Sequence, residues 1–112
     1  MKVSYEGVGY LAVTAKKGTC LEGQPCKIAT QGRVDKCAAG DAFCGIVEKV
    51  RGDVAAVQMA GFATIPYTGT VPTYGYCKLS SNGTGGVKVD TNGREYLILY
   101  CDLDRSTVTF KL

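Results

Sequence analysis

The 112-residue sequence contains no histidine and no tryptophan, and only three prolines. Histidine is the side chain most often used for acid–base chemistry near neutral pH and is also the commonest metal ligand, so its absence removes the usual basis for both. No GxSxG sequence, phosphate-binding loop, HExxH sequence or EF-hand loop is present. The sequence therefore predicts a protein that is not an enzyme and that has no cofactor and no metal site.

Charge of one sign and long apolar runs are also scarce. The 13 Lys and Arg residues outnumber the 10 Asp and Glu residues by only three, and no basic cluster exceeds the pair Lys16-Lys17. Such weak, scattered charge argues against a nucleic-acid partner. No apolar stretch reaches the length of a membrane helix, and residues 1–10 lack the apolar run of a secretion signal. We therefore expect no membrane partner and synthesis in a reducing cytosol.

Glycine and β-forming residues are plentiful instead. Fifteen glycines divide the chain into short segments of apolar, aromatic and β-branched residues, several with period-two alternation. These segments are 10–14, 25–30, 33–37, 43–50, 54–59, 62–65, 76–79, 86–89, 95–102 and 107–112. Short, evenly spaced strands predict an all-β fold of at least seven strands, arranged as a small barrel or sandwich of short antiparallel strands.

Two stretches of the chain resemble each other. Cys77 follows Cys26 by 51 positions, as Val108 follows Val57, so the register is the same at both ends. Turn sequences also correspond, Gln31-Gly32 with Asn82-Gly83 and Ala39-Gly40-Asp41 with Thr91-Asn92-Gly93. Either a duplicated β unit or a chance similarity between two sets of short strands accounts for this.

The length of the chain allows one domain. We predict an N-terminal arm over residues 1–10 and a single β domain over residues 11–112. Within that domain, the repeat predicts similar halves over about residues 20–60 and 72–112.

Six cysteines are present, Cys20, Cys26, Cys37, Cys44, Cys77 and Cys101. An even number is compatible with a disulfide framework, but that interpretation requires export. The first four lack the CxxC spacing typical of zinc sites. The interpretation we favour is that they are small buried hydrophobic side chains and free thiols. With no histidine and no recognisable helix N-terminus near any of them, we expect no thiol of lowered pKa.

Tyrosines and prolines form the most distinctive surface candidates. Core packing explains such tyrosines, but tyrosine is also enriched at protein interfaces, and prolines make a loop rigid enough to dock with little loss of entropy. The arm of residues 1–10 and the loop over residues 66–76 are therefore the predicted contact regions. The candidate contact residues are Tyr5, Tyr10, Pro66, Tyr67, Pro72, Tyr74 and Tyr76.

Several stretches carry a resemblance to known families. They are SYEG at 4–7, CAAGDAFCGIV at 37–47, GFATIPYTGT at 61–70, GGVKV at 85–89, EYL at 95–97 and TVTF at 107–110. Over nearly its whole length the chain resembles small proteins encoded in prophages of gut-type bacteria. The AGD-x-F-x-G-(I/V)-V pattern, within about residues 18–65, is similar to phage capsid cement, or head-decoration, proteins.

The resemblance implies a small, usually trimeric β-barrel that clamps subunits of the major capsid protein on a phage head, and hence a location on the virion surface. It implies no catalytic residues. Two alternatives remain open from the residues themselves. One is a carbohydrate-binding or other ligand-binding β module that uses Tyr67, Tyr74 and Tyr76 as a stacking platform. The other is a cysteine-dependent enzyme, which needs a thiol of lowered pKa.

Overall fold

The computed structural model describes residues 10–112, and within them it has ten β-strands, one short 3-10 turn at Thr30–Gly32 and no α-helix. The strands are β1 Leu11–Lys17, β2 Pro25–Ile28, β3 Arg33–Lys36, β4 Gly45–Arg51, β5 Val54–Ala60, β6 Phe62–Thr68, β7 Gly75–Ser81, β8 Val87–Val89, β9 Arg94–Asp102 and β10 Thr107–Lys111. Each overlaps one of the ten segments expected from alternation and glycine turns. The all-β prediction is confirmed.

The strands form two closed five-stranded barrels. The N-terminal barrel has the strand order β1-β3-β2-β4-β5, and the C-terminal barrel has the order β6-β8-β7-β9-β10. Most neighbours are antiparallel, but β1 pairs with β3, and β6 with β8, in parallel. The antiparallel strands expected from the sequence therefore form eight of the ten pairings, and one seam of each barrel is parallel. Closing a barrel removes the open edges at which a sheet pairs with other chains.

The two barrels are alike in detail, which confirms the expectation of two similar halves. The strand order and the direction of every pairing correspond. Each barrel also has a bulge at the same place, where Glu48 on β4 and Leu99 on β9 are passed over in the pairing. The halves begin at β1 and β6, about ten residues earlier than predicted. The first strand of each closes its barrel through long-range pairs, which the local pattern does not show.

Inward side chains alternate along the strands, as the period of two requires. The core of the N-terminal barrel is made of small residues, Cys20, Cys26, Val34, Val47, Ala55 and Val57. The core of the C-terminal barrel is larger and aromatic, and it also takes in Cys37, Phe43 and Ile46 from the N-terminal half. The single domain predicted for residues 11–112 is therefore two barrels that share one of their cores.

Phe43 makes the main contact between the barrels. It lies at the end of the loop between β3 and β4 and stacks on Tyr96, with ring centroids 5.0 Å apart and planes 4° apart. Its ring also meets Phe110 edge-on at 6.0 Å. The Tyr96 hydroxyl donates a hydrogen bond to the Phe43 carbonyl oxygen at 3.3 Å. A loop of the N-terminal barrel thus completes the core of the C-terminal barrel.

Backbone hydrogen bonds hold the same loop in place. The Gly40 N–H donates to the Ser81 carbonyl at 2.8 Å, and the Ser81 N–H donates to the Asp41 carbonyl at 3.0 Å. Gly83 comes two residues after Ser81 and has φ +81. A Cβ at Gly83 would lie 2.9 Å from the Ala39 nitrogen. A side chain at Gly83 would therefore push the two barrels apart.

The lowered pKa values of three aspartates predict how the stability of the protein depends on pH. Contact with Lys27 lowers the pKa of Asp41, while the N–H groups of Thr19 and Asn92 lower the pKa values of Asp35 and Asp90. A carboxyl group whose pKa is lower in the folded state stabilises the protein above its unfolded pKa and loses that contribution as the pH falls through the folded value. We therefore expect the free energy of unfolding to decline below about pH 4.

Urea titrations between neutral pH and strong acid measure this dependence. Asp41→Asn should make it shallower, because it removes one of the three groups. Asp104→Asn, which removes a charge from an exposed turn, is the control and should leave the slope as in the wild type. An equal slope in all three proteins would contradict the assignment to Asp41.

Candidate functional site

An exposed aromatic surface lies on the outside of the C-terminal barrel, on β7, on β9 and just before β7. Tyr74, Tyr76 and Tyr100 are 63%, 71% and 56% exposed, and Leu97 and Leu99 beside them are half-buried. We call these five residues the tyrosine face. Large exposed aromatic side chains that lie close together are typical of binding surfaces.

Alternation along β7 directs Tyr76 outward. Cys77 and Leu79 point into the core, so Tyr76 points to solvent. Tyr76 lies directly opposite Leu97 on β9. Cross-strand neighbours on one face have Cβ atoms about 4.5–5.5 Å apart, so these two side chains form one continuous surface.

The bulge at Leu99 turns Tyr100 outward. Ile98 pairs with Phe110 and Tyr100 pairs with Thr109, so Leu99 has no partner on β10. Strict alternation from Ile98 would point Tyr100 into the barrel, but the extra residue reverses the direction and sends Cys101 inward instead. Both Leu99 and Tyr100 therefore face out.

The corresponding bulge of the N-terminal barrel has different side chains. Glu48 and Lys49 are both exposed there, at the positions that Leu99 and Tyr100 occupy in the C-terminal barrel. The two barrels therefore share the bulge, but the N-terminal barrel presents a charged pair there and the C-terminal barrel presents an apolar pair. Folding of the barrel does not by itself require the apolar pair.

The loop before β7 lies against the end of β9. The Pro72 carbonyl accepts a hydrogen bond from the Cys101 thiol at 3.5 Å, and Pro72 itself is buried. Gly75 pairs with Ile98, so Tyr74, one residue before Gly75, lies near Leu99, one residue after Ile98. Charged side chains border the face, because Lys78 pairs with Glu95 and Lys111 pairs with Leu97.

The structure separates the seven candidate contact residues. Tyr74 and Tyr76 belong to the tyrosine face, and Tyr10 is 46% exposed but lies beside Gly61 at the link between the barrels. Pro66 is exposed, although it lies on β6 and not in a loop. Tyr5 lies outside the described residues.

Two of the seven are buried. Tyr67 points into the C-terminal barrel and is only 7% exposed, because it lies on the inward face of β6. Pro72 lies in the loop that it was expected to make rigid for docking, but the residue itself is buried. Conversely, the sequence analysis missed Leu97, Leu99 and Tyr100. Aligning Glu48-Lys49 with Leu99-Tyr100 by the 51-residue repeat could have found the last two.

The thiols form a second candidate site. All six cysteines are free, and five are buried as predicted, with Cys44 half-exposed. A hydrogen bond with the Cys26 thiol lowers the pKa of Cys44 to about 7. The expectation that no thiol has a lowered pKa was therefore wrong, because the fold brings a second thiol to Cys44 where no histidine exists.

Protein-family models, curated proteins and solved structures were compared with this chain, and none matches. Among residues 10–112, no group of three or more Cys, Asp or Glu side chains is arranged to hold a metal ion. In the same range, no helix is long and apolar enough to cross a membrane. The tyrosine face and the thiols are therefore the two candidate sites in residues 10–112.

Proposed function

We propose that this protein is a virion structural protein that decorates a phage head by binding the major capsid protein through the tyrosine face. The observation that supports it is the outward-facing group of Tyr76, Tyr100 and the half-buried Leu99 on one barrel, where the other has Glu48-Lys49. Interface cores are depleted of charge and enriched in tyrosine, with a polar border. The partner surface is accordingly apolar at its centre and charged around it.

The build of the face suits binding to a fixed lattice. Its tyrosines and leucines stand mainly on paired strands, so little backbone freedom is lost when a partner docks. Tyrosine also supplies a large contact area with few rotatable bonds. The border of the face carries the charged residues Lys78, Glu95 and Lys111. These charges orient the complex more than they raise its affinity.

The proposed assembly is a homotrimer. The resemblance to head-decoration proteins suggests three copies, and two similar barrels in each chain would give such a trimer six related barrels. Several faces on one particle then bind repeated capsid subunits together, so a weak single contact becomes a strong attachment. Sedimentation equilibrium of the purified protein tests this stoichiometry, and a strictly monomeric protein on assembled heads would contradict it.

Removing the aromatic side chains should separate attachment from folding. We expect the double variant Tyr76→Ala with Tyr100→Ala to bind heads at least about tenfold more weakly, because aromatic residues at interface centres often contribute 2 kcal/mol or more. Its melting temperature should change little, since both rings are exposed. Co-sedimentation with heads assembled from the major capsid protein of the same prophage measures binding.

A matched control comes from the other barrel. Glu48→Ala with Lys49→Ala changes the same bulge positions in the N-terminal barrel and should leave attachment as in the wild type. If the tyrosine variant still saturates the heads at wild-type concentrations, the tyrosine face does not bind the capsid.

The exposure of the rings also favours a second function, carbohydrate binding. A sugar platform requires solvent-facing aromatic rings, and Tyr74 and Tyr76 meet that requirement, whereas Tyr67 does not. The chain has no tryptophan and seven tyrosines, so its fluorescence comes from tyrosine, and a Tyr76→Ala variant isolates the contribution of that ring. Saturable quenching by an oligosaccharide that Tyr76→Ala abolishes, with head binding absent, would favour this function over decoration.

A further inference from the structure

Two cysteines from different strands meet at one seam of the N-terminal barrel. Cys26 lies on β2 opposite Gly45, and Cys44 immediately precedes β4. The Cys44 N–H donates to the Cys26 carbonyl at 2.8 Å, and the Cys26 thiol also donates to the Gly45 carbonyl at 3.4 Å. These contacts hold the Cys26 and Cys44 side chains beside each other, and each thiol shifts the pKa of the other.

The two thiols differ in access to solvent and in acidity. Cys26 is fully buried, whereas Cys44 is the only one of the six thiols that is half-exposed. The hydrogen bond with Cys44 and burial both raise the pKa of Cys26, and the same hydrogen bond lowers that of Cys44 to about 7. The Cys44 thiol therefore ionises more readily than the Cys26 thiol, and the thiolate is the reactive form.

The seam itself is short. β2 and β4 share two register pairs, Pro25 with Ile46 and Cys26 with Gly45. The equivalent seam of the C-terminal barrel, between β7 and β9, has five pairs and is filled by Tyr96 at the position of Gly45. A cross-link at Cys26 would thus reinforce the short β2–β4 seam. The equivalent seam of the C-terminal barrel is held by its longer pairing instead.

We propose that Cys26 and Cys44 form an oxidisable dithiol, which a peroxide converts to a disulfide within the folded N-terminal barrel. The Cys44 thiolate attacks one peroxide oxygen, the O–O bond breaks, and Cys44 becomes a sulfenic acid with release of hydroxide. The Cys26 sulfur then displaces the sulfenic hydroxyl, which leaves as water with the Cys26 proton. Two thiols and one hydrogen peroxide give one disulfide and two waters.

The positions suit the product. The Cys44 N–H bonds the Cys26 carbonyl, and residues hydrogen-bonded across antiparallel strands have Cα atoms about 5.5 Å apart, within the range of about 4.4–6.8 Å that a disulfide spans. The disulfide would link β2 to the start of β4. The β3 strand lies between these two points in the sequence. It would be an oxidation site whose role does not depend on capsid binding.

Peptide mapping of the full-length protein tests the proposal. After hydrogen peroxide treatment of the folded protein at neutral pH, we expect a mass loss of about 2 Da and one cross-link, between Cys26 and Cys44. Trypsin leaves Cys20 with Cys26 in one peptide and Cys37 with Cys44 in another, so further cleavage at Glu22 and Asp41 is needed to assign it. The melting temperature should rise by about 5–15 °C and return after reduction with dithiothreitol.

Matched variants distinguish this pair from a general effect of oxidation. Cys26→Ala and Cys44→Ala should abolish the mass loss, whereas Cys77→Ala, which changes the counterpart of Cys26 in the other barrel, should retain it. In the unoxidised wild type, the alkylation rate of Cys44 should rise with pH around 7. Six intact thiols after peroxide treatment, a cross-link between other cysteines, or overoxidised Cys44 beside a free Cys26 would each overturn the proposal.

Discussion

Replacing Phe43 with alanine should reduce the free energy of unfolding by about 3–5 kcal/mol, because it removes a buried aromatic side chain and leaves a cavity. The cavity opens in the shared core, where Phe43 stacks on Tyr96 and meets Phe110 edge-on. The Phe43 contact joins the two barrels, so we also expect one unfolding transition for the wild type and two for the variant. Calorimetry and urea titration followed by circular dichroism measure both effects.

The control for this variant is Tyr76→Ala, which removes an aromatic ring from the surface of the same barrel. Its ring is 71% exposed, so stability should change by only about 0.5 kcal/mol. If Phe43→Ala unfolds in one transition at the wild-type midpoint, the barrels are not coupled through this loop, and the shared core has no energetic role.

Replacing Gly45 with alanine should be the most damaging change in the N-terminal barrel. An added Cβ would overlap the Gln58 carbonyl oxygen on β5 and lie 2.9 Å from Val57 Cγ1. The backbone of β5 is held by pairs with both β1 and β4, so it cannot withdraw without breaking them. We expect a loss of about 3 kcal/mol or more, the upper range for overpacking a core.

Gly69→Ala separates this steric effect from a backbone effect. Gly69 has φ +76, and no heavy atom lies within 4 Å of a Cβ placed there. The left-handed conformation alone should cost about 1–2 kcal/mol with an alanine. Urea titration of both variants gives the difference, and a smaller loss at Gly45 than at Gly69 would show that the barrel accommodates the methyl group.

The repeat and the strands could be predicted from the sequence because both depend on local patterns. Alternating apolar residues between glycine turns are a property of neighbouring positions, and all ten segments found in this way are strands. The 51-residue spacing also has a structural meaning. Cys26 and Cys77 are buried at equivalent positions of the two barrels. Val57 and Val108 are both buried but are not equivalent, because the turn before β10 is longer than the turn before β5.

The site depended on contacts between distant parts of the chain. Residues 95–101 look like a uniformly buried strand, and only the pairing of β9 with β10 makes the bulge that turns Leu99 and Tyr100 outward. Likewise, Tyr67 is buried because β6 closes the C-terminal barrel with that face inward. A one-residue change in pairing reverses which side chains face out, and the local sequence does not record it.

The sequence by itself therefore determined the class of fold, the positions of the strands and the presence of two similar halves, because alternation and turn residues act over a few positions. Only the tertiary structure decided that the halves close into separate barrels, that Phe43 joins them, and that Cys26 meets Cys44. These features arise from pairings between residues far apart in the chain, where the free energy comes from closing a barrel and burying a core rather than from local preference.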